Sequence, residues 1–103
     1  MLLIHEIEYV EYLEDGRWGD TYADSVPVRF VRVEPATALD RDSAKEEVRA
    51  ENILFLDGRH TKPFVVPKQK DKIIFQGREY EVSRVEIFYA ISNRIHHIEA
   101  ELV

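Results

Sequence analysis

Asp71-Lys72-Ile73-Ile74-Phe75-Gln76-Gly77-Arg78-Glu79-Tyr80-Glu81-Val82 is the stretch whose reading decides the fold. Two short runs rich in β-branched and aromatic residues flank a Gln-Gly pair, and glycine accepts the positive φ of a tight hairpin turn. With a side-chain period of two, Ile73 and Phe75 share one face, and Tyr80 and Val82 share one on the return strand. The stretch therefore predicts an antiparallel hairpin with one apolar face.

Strand signals continue on both sides. Phe88 to Asn93 reads as a loop, and Ile95 to Val103 as the last strand, with Ile98, Ala100 and Leu102 alternating with His97, Glu99 and Glu101. Upstream, Pro63 and Pro67 keep Thr61 to Pro67 extended. Glu47 to Leu56 reads as a strand whose end, Ile53-Leu54-Phe55-Leu56, is apolar on both faces. Val26 to Val33 is a further strand, with Val28 and Phe30 on one face and Arg29 on the other, ended by Pro35. Ile4 to Leu13 is the first strand; its alternation is imperfect and admits a bulge. Glu14-Asp15-Gly16-Arg17 is a turn, followed by Trp18 and Tyr22 in a Gly- and Asp-rich loop. Ala36 to Ala50 has only Val48 as a strong apolar residue. Ser43-Ala44-Lys45-Glu46 fits a capping box, so a long exposed loop with at most one helical turn is expected. Short strands joined by tight turns predict a mainly β fold, a small antiparallel β-barrel with a long loop between early strands, as a single domain over residues 1–103.

Composition narrows the function. The 103 residues carry a net charge of −6 and no cysteine, which excludes disulfides, thiolate metal sites and cysteine nucleophiles. No apolar run approaches the ~20 residues of a membrane span, and the acidic start does not resemble a signal peptide, so no membrane partner is expected. The charge is uneven. Residues 1–25 hold seven acids against Arg17 alone, the rest of the chain is neutral, and residues 59–72 lean basic through Arg59, Lys62, Lys68, Lys70 and Lys72. These are either two solvated faces or complementary patches that meet in a neighbouring copy.

Catalytic signatures are missing. There is no Gly-x-Ser-x-Gly elbow and no glycine-rich phosphate loop. His96 and His97, adjacent on a strand, are expected on opposite faces and so not on one metal. No enzyme, cofactor or metal site is expected. Eleven aromatics on a β fold invite a single-strand nucleic-acid reading, but Phe30, Phe55, Phe75 and Tyr80 fall at core positions. Trp18, Phe64 and Phe88 lie in loop contexts. Together with Lys68 and Lys70 they are the expected partner-facing residues.

Four strings carry a resemblance: Val28 to Pro35; Ala50 to Asp57 with His60-Thr61-Lys62-Pro63-Phe64; the hairpin Asp71 to Val82; and Asn93-Arg94-Ile95-His96-His97-Ile98-Glu99-Ala100-Glu101-Leu102-Val103. Their order and spacing resemble the minor capsid proteins of tailed bacteriophages and prophages, which look like head-completion (stopper) proteins of the head-to-tail connector. The resemblance implies a virion protein, made in the host cytoplasm, that forms a ring below a portal or adaptor and provides a surface for tail proteins. It implies a loop that projects into the channel and holds packaged double-stranded DNA by transient contact. Ala36 to Ala50 lies where that loop falls, which makes Asp40, Arg41, Asp42, Lys45, Glu46, Glu47 and Arg49 the channel residues. A small nucleic-acid or general adaptor module is the alternative.

Overall fold

The computed structural model describes residues 2–13, 21–36 and 50–103, and among them there is no helix. The strands are β1 (His5–Val10), β2 (Tyr12–Leu13), β3 (Thr21–Tyr22), β4 (Val26–Pro35), β5 (Asn52–Asp57), β6 (Lys72–Phe75), β7 (Arg78–Tyr89) and β8 (Ile95–Leu102). Six of them close into an antiparallel barrel in the order β1-β4-β5-β8-β7-β6, while β2 and β3 form a separate two-stranded sheet. Closure leaves those six strands no free edge.

The hairpin forms as predicted. Gln76 and Gly77 both take positive φ, 52° and 80°, which matches a two-residue turn to the twist of the strands. Ile73, Tyr80 and Val82 face a core shared with Ile7, Val28, Val31, Leu54, Leu56, Ile98, Ala100 and Leu102. Ile53, Leu54 and Leu56 are all buried, so that end of β5 is covered on both faces.

Departures from the simple period have local causes. The irregularity falls in β4, not in the first strand: His5 pairs with Val31 but Glu6 with Arg29, and Phe30 is the extra residue, at φ 60°. This bulge puts Arg29 and Phe30 outward in succession, leaving Phe30 52% exposed rather than in the core, where its spacing from Val28 placed it. Phe55 and Phe75 are only half-buried; among the four rings expected inside, Tyr80 is the buried one. The first strand breaks at Glu11, so Leu13 leaves the barrel and is exposed. β5 begins at Asn52 because Pro35–Asn52 is the last rung with β4. β7 continues to Tyr89, paired with Ile95, and shortens the expected loop to residues 90–94.

The antiparallel order sorts the connections between two poles. The loop pole holds the ends of the β4–β5 connection, the β6–β7 turn and Val103. The cap pole holds β2 and β3, residues 58–71 between β5 and β6, and the 90–94 turn. No helix among the described residues is long and apolar enough to cross a membrane.

Candidate functional site

The cap pole is built on residues 58–71. At its start Asp57 closes a side-chain turn: its Oδ1 accepts the amides of Arg59 at 2.7 Å and His60 at 3.0 Å. Burial pushes the Asp57 carboxyl up, but these amides and the His60 ring outweigh it and hold it below the usual carboxylate range. Gly58 runs so close to β8 that a Cβ would sit 2.1 Å from the Ile95 carbonyl oxygen, and its amide donates to the His96 carbonyl. Thr61 is buried. Its hydroxyl donates to the carbonyl of the bulged Phe30 at 2.7 Å and accepts the Asp57 amide at 2.8 Å. Arg29 and Lys62 exchange two backbone hydrogen bonds, so residue 62 continues the sheet beside the bulge. The Lys62–Pro63 peptide is cis. Beyond it Phe64 is exposed, Val65 packs on the core and Pro67 is buried.

Asp71 ends the segment and is fully buried. Its Oδ2 accepts the Tyr9 hydroxyl at 2.5 Å and the Lys68 amide at 2.8 Å; its Oδ1 accepts the Tyr12 amide at 2.7 Å and Lys68 Nζ at 3.1 Å. One carboxylate thus ties the cap to β1 and β2, with both oxygens satisfied. Burial, the hydrogen bond to Asp71 and the carboxylate's charge push the Tyr9 phenol well above its ordinary value. Partial burial lowers the Lys68 ammonium, but its hydrogen bonds to Asp71 and Glu11 outweigh this and raise it. Sequence reading passed over Asp71. The signal was there as the lone acid in a lysine-rich run, but its partners, Tyr9 and Tyr12, are about sixty residues away.

Of the expected partner-facing residues, Phe64, Lys68 and Lys70 lie within residues 58–71, and Phe88 lies near the end of β7. Phe64 is 37% exposed. Phe88, 36% exposed, stands on β7 rather than in a loop, its ring stacked at 4.5 Å on His97. Lys68 is engaged inside its own chain, with Asp71 and, at 3.3 Å, Glu11. Lys70 lies over the Tyr12 ring and Lys72 over the Tyr22 ring. Acidic and basic stretches of the sequence therefore meet within one molecule at Lys68–Glu11. Trp18 lies outside the described residues, in the β2–β3 connection. Val66, Tyr89 and Ile91 are exposed here too and were not singled out by the sequence.

At the loop pole, Ala36 is buried and its amide donates to the Glu51 carbonyl at 3.2 Å, while the Glu51 amide donates to Leu102 at 2.7 Å. The chain leaves β4 and re-enters β5 across one hydrogen-bonded step. The expected channel residues Asp40, Arg41, Asp42, Lys45, Glu46, Glu47 and Arg49 all fall between these anchors and outside the described residues.

His96 and His97 do not diverge as expected. Their Nδ1 atoms lie 2.9 Å apart, and His97 Nε2 is 3.2 Å from Glu99. The β7–β8 ladder slips between Phe88 and Tyr89, which reorients β8 at this point. Leu3, Phe55 and the two histidines line a groove of about 250 Å³. Among the described residues no three histidines or carboxylates converge as a metal site.

A family model described as "Minor capsid protein" matches residues 1–102. Neither curated proteins nor solved structures yielded a match.

Proposed function

The chain belongs to the minor capsid protein family, structural components of the phage particle, and from that premise we propose that it is a head-completion protein of the head-to-tail connector. Copies form a ring below the portal or its adaptor. The β4–β5 connections of all copies point toward the common axis and narrow the DNA channel, and the cap pole presents the surface that joins portal, adaptor or tail proteins.

The observation that carries this reading is the hydrogen-bonded step at Ala36 and Glu51. The strands that flank residues 37–49 are already joined to each other at Ala36 and Glu51, and in this reading the connection serves a task other than holding them together. Its charges nearly balance, with Asp40, Asp42, Glu46 and Glu47 against Arg41, Lys45 and Arg49. Such loops pair with one another across an axis and touch phosphate only weakly. The net charge of −6 suits a conduit that passes DNA without gripping it. Tail docking then favours one arrangement of the loops over the other.

Imaging particles assembled with and without this chain tests the proposal. Tail-less, emptied heads in its absence support head completion, and normal virions refute it. Removing Asp40–Lys45 should leave the protein folded and the heads leaking DNA. Full retention of DNA would sink the channel role of the loop.

A further inference from the structure

Six arginines lie among the described residues, and four of them have an ion-pair partner: Arg29 with Glu6, Arg32 with Glu34, Arg78 with Glu51 and Arg84 with Glu101. The two without one among the described residues, Arg59 and Arg94, line the same groove at the cap pole. The groove has a volume of about 480 Å³ and runs between the turn that follows β5 and the 90–94 turn. The last β5–β8 rung, Asp57–His97, sets these two turns side by side. Gly58 lets the first of them close down on β8: its amide donates to the His96 carbonyl at 2.9 Å, where any Cβ would collide with the Ile95 carbonyl.

Asp57 is the one carboxylate in the groove lining. Its Oδ1 already accepts the Arg59 and His60 amides and faces the His60 ring at 3.2 Å, so it serves its own turn and reaches neither guanidinium. Ser92 adds a free hydroxyl from the 90–94 turn. The groove is therefore a cationic spot on a chain whose net charge is −6. Beside it, Ile91 at the tip of the turn is fully exposed, and Tyr89 at the end of β7 is 62% exposed.

We propose that this groove is a carboxylate-binding site that docks an acidic peptide segment of a partner protein, with Arg59 and Arg94 as the clamp. A guanidinium presents two parallel donors to a carboxylate, and two such forks in one concavity suit neighbouring acidic side chains. The exposed Ile91 and Tyr89 offer the same peptide an apolar contact at the rim. A DNA duplex fits less well. Its phosphates are held by a row of cations along the backbone, whereas this pole also carries the acids Glu11 and Asp24. Which protein supplies the segment rests on the connector reading above; the chemistry of the groove does not.

Fluorescence anisotropy of the full chain with a labelled oligoglutamate peptide tests it, beside an oligolysine peptide of equal length and a short DNA duplex. Wild type should bind oligoglutamate with a Kd on the order of 100 µM at about 50 mM salt, and should not bind oligolysine. Arg59→Gln/Arg94→Gln should weaken this at least about tenfold, with unchanged circular dichroism and melting. Arg59→Lys/Arg94→Lys should keep part of the affinity, since the charge stays and the fork is lost. Lys62→Gln/Lys70→Gln removes the same charge outside the groove and should bind within about twofold of wild type. The proposal is overturned if oligoglutamate does not bind, if the arginine pair can be replaced by glutamine without loss, or if the lysine pair matters as much. It is also overturned if the duplex binds more tightly through Arg59 and Arg94, or if those arginines instead hold a second copy of the chain in sedimentation. Normal virions made without the chain would refute head completion and leave the groove standing. Tails on particles carrying Arg59→Gln/Arg94→Gln would refute the groove's part in the connector and leave head completion standing.

Discussion

Two long connections of the barrel, residues 37–49 and 58–71, are similar in length, and the strand ends that flank them are joined in opposite ways. Residues 58–71 are welded into the fold: Thr61, Pro67 and Asp71 are buried, Val65 joins the core, and both ends are tied by side chains to distant strands. On either side of residues 37–49, the strand ends are joined directly: Ala36 is buried and its amide donates to the Glu51 carbonyl. A connection that closes one end of the barrel must bury polar backbone, so it needs Asp57, Thr61 and Asp71 to satisfy it. A connection that returns across one hydrogen-bonded step has no such need and is free to vary in charge and length.

The largest effect that should break this contrast is at Asp71. Asp71→Ala leaves the Tyr9 hydroxyl and the Tyr12 and Lys68 amides without their acceptor. It should cost about 3 kcal/mol or more and lower the melting temperature by roughly 12–24 °C, measured by calorimetry. A shift under a few degrees would mean the cap is not held there. Thr61→Val removes one donor and one acceptor while keeping the shape, and should cost about 1–2 kcal/mol in urea unfolding.

Smaller effects sharpen the comparison through pH. The Tyr9 and Lys68 pKa values are both raised in the folded protein. Their contribution is therefore complete below the ordinary tyrosine and lysine values and lost as pH climbs past them. Stability should fall on the alkaline side, and Tyr9→Phe should flatten that limb of the stability–pH curve. Asp57 is lowered, so its contribution is present at neutral pH and fades as pH drops through and below the ordinary carboxylate range; Asp57→Asn should remove that acid dependence. The smallest effect belongs to the loop pole. Removing Asp40–Lys45 should change stability by less than about 0.5 kcal/mol, because loop-closure entropy depends weakly on length.

The strand pattern was legible in the sequence wherever alternation was intact. Ile73, Tyr80, Val82, Ile98, Ala100 and Leu102 were all readable as inward and are all buried. Reading failed at the bulge, where one extra residue reverses the facing of Phe30, and at Phe88, which a slipped ladder keeps in a strand. The candidate site was legible as a set of residue types, not as a place. Phe64, Lys68, Lys70 and Phe88 stood out by context, but nothing local said that they share one pole, or that Lys68 is already held by Asp71 and Glu11.

By itself the sequence determined the class of fold, the number of principal strands, the Gln76-Gly77 turn and the polar character of residues 37–49. Each of these follows from residue type and a period of two, which are local properties. Only the tertiary structure decided the order in which the strands close, which connection becomes a cap, and which side chains meet across it. Those depend on partners far apart in the chain, such as Tyr9 and Asp71 or Phe30 and Thr61, whose meeting is set by closure of the barrel rather than by any run of neighbouring residues.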